Sequence, residues 1–359
     1  MKKHIALLSG DGIGPEVAKQ AVKVLKAVAN TFDHEFTFEE ALVGAAAIDA
    51  TGDPFPDETY QVCKKSNAVL FGAIGDPKYD NDPTAKVRPE EGLLRMRKML
   101  GLFANIRPVA SYKILEDASP LKNNIVSGTD FVVFRELTSG LYFGQPRGRS
   151  EDGKSAFETS IYTEQEITRI AQLAFEAAQK RKNKVTLVDK ANVLVTSRLW
   201  REVVTKFHKK NFPEVELDFL FVDNAAMQII LNPSSFDVIL TENLFGDIIT
   251  DEASVIAGSL GLLPSASMGS GLGLYEPIHG SYPQAAGQNI ANPMASILSA
   301  AMLLEMSFDL VDEANTIRKA VEIAMNTGFV TKDINPEKYI GTEEVGDKIA
   351  ELVKEKQLA

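Results

Sequence analysis

The chain has 359 residues, of which 45% are hydrophobic and 24% charged, values typical of a globular protein with about two domains and a substantial buried core. Its formal charge is −11, and this acidic balance disfavours nucleic acid as a partner. The single cysteine, Cys63, excludes an intrachain disulfide and indicates a reducing, cytoplasmic location. No apolar stretch is long enough to cross a bilayer, so we expect no membrane span.

Short β-branched or aromatic runs alternate with longer stretches of helical period, which predicts an α/β protein. The predicted strands are His4–Leu8, Phe36–Val43, Ala68–Ala73, Ile106–Ser111, Phe131–Glu136, Lys184–Val188, Glu216–Val222 and Phe236–Leu240. The predicted helices begin at Pro15, Thr163, Val195, Asn224, Asp247, Pro293, Phe308 and about Thr342. A first-turn proline marks the first of these starts, and a capping box marks the second.

Residues 10–15, Gly-Asp-Gly-Ile-Gly-Pro, follow a predicted strand and open a helix, as a dinucleotide-binding turn does. The glycine spacing departs from that motif by one residue, and Pro15 stands in the place of the third glycine. A tight strand-to-helix turn is therefore the favoured interpretation, and a pyrophosphate cradle is the alternative.

Residues 141–162 predict a projecting β-hairpin arm. Leu141–Phe143 and Ala156–Tyr162 have the character of strands, and Asp152-Gly153 between them is a hairpin signal. Gly148–Ser155 also fits the phosphate-binding P-loop pattern. A P-loop needs a helix that begins at its lysine, whereas the residues that follow here alternate as in a strand. We favour the hairpin, and a P-loop phosphotransferase is the alternative from a different functional class.

The strongest chemical signal is the stretch Asn243–Glu252, in which Asp247 and Asp251 stand four residues apart at a predicted helix start. Both carboxylates then project from one face of the helix. Asp223 adds a third carboxylate at the end of a predicted strand. Such carboxylates repel by roughly 4 kcal/mol per close pair at an effective dielectric of about 20, and a divalent cation offsets that repulsion. Oxygen ligands favour Mg²⁺ or Mn²⁺, while a solvated acidic turn is the structural alternative.

Two arginines, Arg107 and Arg135, lie at or inside predicted strands. A guanidinium in such a place needs an anion, which is either a ligand or an acidic side chain of the protein. Lys190 follows the predicted strand Lys184–Val188, a position suited to proton transfer.

Taken together, these segments resemble the β-decarboxylating dehydrogenases, a family whose members act on isopropylmalate, isocitrate or tartrate and malate. The resemblance covers essentially the whole chain and is densest in Gly10–Glu16, Asn243–Gly261 and Gly273–Ser281. It implies oxidative decarboxylation of a small 2-hydroxy acid with NAD as cofactor and Mg²⁺ or Mn²⁺ as metal. It also implies a homodimer with shared active sites.

The resemblance further implies the architecture. The expected fold is α/β, with two domains and a large mixed sheet flanked by helices, and it is not a Rossmann fold. Residues 1–102 and 258–359 would form the cofactor-binding domain. Residues 103–257 would form the dimerisation, substrate and metal domain, with the arm at about 141–162.

The resemblance assigns roles to the charged residues. The substrate carboxylates would be bound by Arg97, Arg107 and Arg135. The metal would be held by Asp247 and Asp251 together with Asp223 of the partner subunit, which would also contact the substrate.

The same resemblance assigns two catalytic residues. Lys190 of the partner subunit would accept the proton of the substrate hydroxyl, and Tyr142 would protonate the enolate that remains after CO₂ departs.

Three residues distinguish the substrates within the family. Glu90, Leu93 and Leu94 occupy the segment in which isocitrate-using members offer serine and asparagine. An acidic substituent would be desolvated there without a donor, whereas an isopropyl group gains about 0.8 kcal/mol for each buried CH₂. We therefore expect 3-isopropylmalate as the substrate, converted to 4-methyl-2-oxopentanoate in leucine biosynthesis.

The cofactor loop departs from the family at one position. The residues expected to contact the nucleotide are Glu276, His279, Gly280, Ser281, Gln284, Ala285 and Asn292. NAD-using relatives usually have aspartate where Gln284 stands, and NADP-using relatives have lysine and tyrosine in the places of Gln284 and Ala285. Because no cation is available there for a 2′-phosphate, NAD⁺ is the expected cofactor.

Overall fold

The computed structural model describes residues 1–81 and 85–355. They form two compact units, Met1–Leu102 with Ser259–Ala359, and Phe103–Gly258. Each unit contains strands of mixed direction flanked by helices, which confirms the predicted α/β fold class.

The strands, in chain order, are β1 (Lys2–Gly10), β2 (Glu35–Glu40), β3 (Ala68–Ala73), β4 (Ala104–Ala110), β5 (Asp130–Glu136), β6 (Gly148–Arg149), β7 (Ala156–Phe157), β8 (Lys184–Asp189), β9 (Glu216–Phe221), β10 (Val238–Thr241), β11 (Pro264–Met268) and β12 (Gly273–Pro277).

The helices are α1 (Gly14–Phe32), α2 (Ala45–Thr51), α3 (Asp57–Lys65), α4 (Pro77–Asp80), α5 (Pro89–Met99), α6 (Asn123–Val126), α7 (Glu164–Gln179), α8 (Val195–Asn211), α9 (Val222–Leu231), α10 (Asn243–Ser254), α11 (Met294–Phe308), α12 (Val311–Asn326) and α13 (Thr342–Lys354). None of the helices in the described ranges has both the length and the apolar character needed to cross a membrane.

In the first unit the described strands have the order β2-β1-β3-β12-β11, and among their pairs only β11–β12 is antiparallel. All six residues of β3 are buried, and the strand is apolar throughout, as is typical of a strand that is covered on both faces. Phe71 of this strand packs in an apolar cluster with Met96 of α5 and with Leu102.

In the second unit the large sheet has the strand order β4-β5-β10-β8-β9, and within that sheet the β4–β5 pair is antiparallel while the other pairs are parallel. Thr241, the last residue of β10, pairs with Arg135 of β5 and with Val188 of β8. Residues that follow these three positions therefore leave the sheet at one edge, where open α/β sheets place their sites.

The helix that carries Asp247 begins earlier than predicted. It starts at Asn243, because the chain turns directly from β10 into the helix after the extended residue Glu242. The helix predicted from Asn224 likewise starts at Val222. Phe308 ends α11 rather than beginning a helix, since Asp309 has a left-handed backbone (φ 57°) that stops it. Strands β11 and β12 escaped prediction because small residues and proline interrupt their apolar pattern.

The arm is a hairpin, but a shorter one than predicted. Gly148 and Arg149 pair in antiparallel fashion with Phe157 and Ala156. The prediction of a strand at Leu141–Phe143 is wrong, since Gly140–Tyr142 forms a 3-10 turn, and beyond β7 the predicted strand does not continue. No helix begins at the P-loop lysine in the described chain, which removes the basis for a phosphotransferase.

The turn at residues 10–15 packs tightly against its own protein. Gly12 has φ +58°, and a Cβ placed on it would lie 2.0 Å from the carbonyl oxygen of Ser281. Asp11 fills the space beside the turn and accepts backbone N–H groups of Ala45, Ala46 and Gly75. The glycines therefore serve a tight strand-to-helix turn, as favoured from the sequence.

Candidate active site

Arg135, on β5, is 4% exposed and lies at the centre of a cluster of polar side chains from β5 and α10. Its Nε and Nη2 both donate to Oδ1 of Asn243, at 3.1 and 2.9 Å, and its Nη1 donates to Asp247. Gly246 lies on α10 against this side chain, and a Cβ there would fall 2.5 Å from Cγ of Arg135. The glycine allows the helix and the guanidinium to approach this closely.

Tyr142 shares Asp247 with Arg135. Its Oη donates to Oδ2 of Asp247 at 2.6 Å, and the guanidinium carbon of Arg135 lies 5.8 Å from the centre of its ring. Burial and the hydrogen bond to Asp247 raise the pKa of Tyr142 to about 12. The phenol therefore carries its proton at neutral pH and can serve as a proton donor.

Arg107, on β4, spreads its fork over three side chains. Its Nε donates to Asn105 at 2.8 Å, and its Nη1 donates to Oγ1 of Thr250 at 2.8 Å and to Oδ1 of Asp251 at 3.3 Å. The side chain of Asp251 is 75% exposed. Arg107 and Arg135 thus each contact one of the two predicted metal ligands of α10.

The third carboxylate, Asp223, is not part of this cluster within one chain. No group of three His, Cys, Asp or Glu residues suited to a metal ion occurs in the part of the chain that the structure describes. Asp223, on α9, instead accepts a hydrogen bond from Nζ of Lys190 at 2.6 Å. That bond lowers the pKa of the Asp223 carboxyl below its usual value, so the group is ionised at neutral pH.

In the first unit, Arg97 of α5 donates through Nη2 to Oε1 of Glu276 on β12, at 3.1 Å. Both side chains are largely buried. Nε of Arg97 is also buried and has no acceptor among the described residues. A buried guanidinium N–H without an acceptor fits the binding of an anion.

The residues predicted to contact the C3 substituent lie on α5. Glu90 and Leu94 are exposed and therefore open to a ligand. Leu93 is partly buried and packs against the apolar cluster that contains Phe71 and Met96. A substrate contact of Leu93 therefore stays a prediction.

The loop after β12 carries His279, whose Nδ1 lies 3.0 Å from the carbonyl oxygen of Gly280. Burial lowers the pKa of His279 below its usual value, so the ring is neutral and Nδ1 is the donor of that bond. Nε2 is then an acceptor, and it is buried without a partner among the described residues. The loop therefore offers one acceptor that suits an amine or hydroxyl of a ligand.

The other predicted nucleotide contacts differ in exposure. Gln284 is exposed, whereas Ala285 packs in an apolar cluster with Ile13. Ser281 is buried, and its carbonyl oxygen accepts the N–H of Ile13 at 2.8 Å. Asn292 donates to Asp333 at 3.0 Å and accepts the N–H of the residue that begins α11.

Sequence reasoning gave no role to three residues that complete these clusters. Asn243 and Thr250 are the partners of Arg135 and Arg107, and Asp333 is the partner of Asn292. The signal for Asn243 and Thr250 was available, since both fall within the acidic stretch at helical spacing from the two aspartates.

One family of known proteins matches almost the whole chain. The model of the family described as "Isocitrate/isopropylmalate dehydrogenase" matches residues 4–349. The chain belongs to the isocitrate/isopropylmalate dehydrogenase family. This confirms the predicted resemblance, and membership of this family makes the protein an oxidoreductase.

Several relatives within the isocitrate/isopropylmalate dehydrogenase family match over nearly their full length. The 3-isopropylmalate dehydrogenase of Bacteroides fragilis is 55% identical over 99% of this chain and 99% of its own. That of Aquifex aeolicus is 54% identical over 98% of this chain and 97% of its own. Among solved structures, isocitrate dehydrogenase from Methylococcus capsulatus has a TM-score of 0.86 at 33% identity, covering 98% of this chain and 99% of that one. A β-decarboxylating dehydrogenase from Thermococcus kodakarensis has a TM-score of 0.82 at 35% identity, covering 98% and 96%.

Proposed function

We propose that the protein catalyses the NAD-dependent oxidative decarboxylation of (2R,3S)-3-isopropylmalate to 4-methyl-2-oxopentanoate and CO₂, a cytoplasmic step of leucine biosynthesis. The observation that carries the proposal is the joined cluster of Arg107, Arg135, Tyr142, Asp247 and Asp251 in a chain 55% identical to a relative of that activity.

The carboxylates of α10 fit a divalent metal ion. They are oxygen donors of the kind that Mg²⁺ and Mn²⁺ prefer, and Asp251 is exposed. Both oxygens of Asp247 accept hydrogen bonds, but an ionised carboxylate has lone pairs left for a cation. Asp223 of the partner subunit is the proposed third ligand, because the described chain holds no set of three by itself.

The first unit fits a nucleotide. The buried acceptor of His279 suits a donor of the adenosine, and nothing lies within 4 Å of a Cβ position on Gly280, so the backbone there is open to a ligand. The remaining proposed contacts are Glu276, Ser281, Gln284, Ala285 and Asn292. When bound, NAD⁺ accepts the hydride and the metal polarises the substrate oxygens as a Lewis acid.

The protein's own residues supply binding and proton transfer. Arg97, Arg107 and Arg135 hold the substrate carboxylates through charge-assisted hydrogen bonds. Lys190 of the partner subunit accepts the proton of the C2 hydroxyl. Tyr142 delivers its proton to the carbon that CO₂ leaves, for which its retained proton suits it.

A homodimer is proposed from the exposed apolar faces of α9 and α10. Met227 and Leu231 are 55% and 62% exposed, and they follow Asp223 at intervals of four residues on α9. Ile248 is 58% exposed and lies three residues before Asp251 on α10. Helical spacing puts each carboxylate on an apolar face. Burial of these faces against a second copy would bring Asp223 of the partner subunit toward Asp251.

The substrate is tested by comparing the purified protein's turnover of 3-isopropylmalate with that of isocitrate, tartrate and malate. Glu90 and Leu94 disfavour an acidic substituent, so we expect kcat/KM for isocitrate to be lower by roughly 100-fold or more. Comparable values for isocitrate would replace the proposed substrate by the related alternative.

The cofactor is tested at Gln284, an exposed residue that does not repel a 2′-phosphate. The parent should prefer NAD⁺ over NADP⁺ because neither Gln284 nor Ala285 supplies a cation. Gln284→Asp should increase that preference, since a carboxylate both accepts ribose hydroxyls and repels phosphate. The ratio of kcat/KM for the two nucleotides measures the effect, with Gln288→Asp, an exposed position in the same loop, as the control. Equal use of both nucleotides by the parent would contradict the proposal.

A further inference from the structure

Glu242 is a buried acid that the proposed mechanism does not use. It lies between β10 and α10 and is 6% exposed, and its Oε2 is buried without a hydrogen-bond partner among the described residues. Its carbonyl oxygen accepts the N–H of Gly246 at 2.9 Å, so its placement sets the first turn of α10. A buried carboxylate oxygen without a partner is costly, which indicates a role beyond packing.

The sheet register sets two further buried acids level with Glu242. Strand β10 pairs in parallel with β5 and β8. Glu242 comes directly after the last paired residue of β10, and Glu136 and Asp189 come directly after the residues that pair with it on β5 and β8. Both neighbours are compensated by donors. Glu136 accepts from Thr138, Ser139 and Arg169, and Asp189 accepts two bonds from Arg201 at 2.9 Å and one from the N–H of Ala191.

The charged and titratable groups around Glu242 come from each element packed on β10. They are Asp189 of β8 with Arg201 of α8, Arg135 and Glu136 of β5 with Arg169 of α7, and Tyr162 before α7. Burial and the negative charge of Asp189 raise the pKa of Glu242 to about 7. Its charge therefore changes in the neutral range.

Ionisation of Glu242 places a second negative charge near Asp189. Asp189 is held by hydrogen bonds from Nε and Nη2 of Arg201. The guanidinium of Arg201 also lies over the ring of Phe219, 4.8 Å from its centre. The repulsion therefore acts on the start of α10 rather than on β8. The next residue of α10 is Asn243, which accepts two hydrogen bonds from Arg135.

We propose that Glu242 is a positioning residue that makes the active site sensitive to pH. Uncharged Glu242 lets α10 begin where Asn243 and Asp247 hold Arg135, and ionised Glu242 displaces that start. The inference rests on the proposed function, which assigns Arg135 to the substrate.

The chain's only tryptophan, Trp200 on α8, gives a test that needs no activity. Its ring packs edge-on against Tyr162 with 5.3 Å between centroids, and the Tyr162 hydroxyl accepts the N–H of Asn243 at 3.0 Å. We expect the tryptophan fluorescence of the parent to shift with a midpoint at about pH 7. The shift should be lost in Glu242→Gln and kept in Glu202→Gln, which removes an exposed carboxylate from α8.

Stability gives a second readout with a defined sign. The pKa of Glu242 is higher in the folded chain than its ordinary value of 4.5, so the folded state binds more protons. The parent should therefore lose stability as pH rises from about 4.5 to about 7. Glu242→Gln should lack this loss and be the more stable protein above neutrality, so the variant is expected to fold.

Turnover tests the positioning role. For the parent, KM for 3-isopropylmalate should rise with the same midpoint, by up to about tenfold per pH unit, while kcat changes less. Glu242→Gln should keep a low KM across that range. A KM profile shared by parent and variant would overturn the positioning role.

The outcomes separate this inference from the proposed function. A fluorescence shift that persists in Glu242→Gln would assign the titration to another group and overturn the inference. Loss of that shift in a protein that does not turn over 3-isopropylmalate would support Glu242 as the titrating group and refute the proposed substrate instead.

Discussion

Tyr142 keeps its proton because burial and the hydrogen bond to Asp247 both favour the neutral phenol. Asp247 in turn accepts a second hydrogen bond, from Arg135. The retained proton suits Tyr142 for its proposed role as the acid of the final step.

Tyr142→Phe removes the donor and little else. We expect turnover to fall roughly 10²–10⁴-fold, the usual contribution of a positioned acid. Hydride transfer precedes the step that needs Tyr142, so a burst of nucleotide reduction should remain in rapid-mixing absorbance measurements.

The matched control for this variant is Tyr79→Phe. Tyr79 also donates to an aspartate at 2.6 Å, but its partner Asp49 lies in the other unit, outside the cluster. Tyr79→Phe should leave turnover near that of the parent. Loss of the burst together with turnover in Tyr142→Phe would place Tyr142 in an earlier step.

At the scale of secondary-structure elements, α10 organises the second unit's cluster. Asn243, Asp247, Thr250 and Asp251 recur at the helical period, so one face presents all four to β4 and β5. The opposite face buries Ile249 and Ala253 in the apolar cluster with Phe131. The helix therefore cannot rotate without exposing apolar surface, which holds the polar face in register.

Gly246→Ala tests how closely α10 must approach β5. The added Cβ would meet the Arg135 side chain at 2.5 Å, closer than real contacts allow. We expect a loss of about 1–3 kcal/mol in stability, typical of overpacking, and a raised KM for the substrate. Gly271→Ala is the control, since nothing lies within 4 Å of a Cβ there. Parent-like stability and KM in Gly246→Ala would show that the close approach is dispensable.

Asp251→Asn tests the same helix face as a metal ligand. Loss of one charge should weaken Mn²⁺ binding at least about tenfold in calorimetric titration, and excess Mn²⁺ should restore part of the activity. Glu252→Gln, which changes the adjacent carboxylate on α10, should retain the parent's Mn²⁺ affinity. Unchanged affinity in Asp251→Asn would count against the ligand assignment.

At the scale of the whole molecule, the proposed site needs two chains. Within one chain, Lys190 donates a hydrogen bond to Asp223. The described residues of one chain do not bring together the three carboxylates that the resemblance requires for a metal ion. The proposed site therefore combines Asp247 of one chain with Lys190 of the partner subunit.

Mixed dimers test this sharing. Lys190→Ala and Asp247→Ala, each inactive alone, are unfolded together and refolded, which makes about half of the dimers mixed. One site of each mixed dimer then receives an intact lysine and an intact aspartate. Activity should return to roughly a quarter of that of the refolded parent. If native mass spectrometry detects mixed dimers but no activity returns, each site lies within one chain.

Local patterns predicted much of the fold and several residues of the candidate site. The α/β alternation, the arginines of β4 and β5, the lysine after β8 and the two aspartates of α10 were all evident from the sequence. Periodicity and strand ends are properties of neighbouring residues, so one segment at a time is enough to detect them.

The tertiary structure alone decided which of these residues act together. Arg135 binds Asn243 more than one hundred residues later in the chain, and this pairing follows from β5 and β10 being neighbours in the sheet. The burial of Glu242 has the same origin. It depends on which distant segments cover the residue, and burial by distant segments is a property of the packed chain rather than of its local sequence.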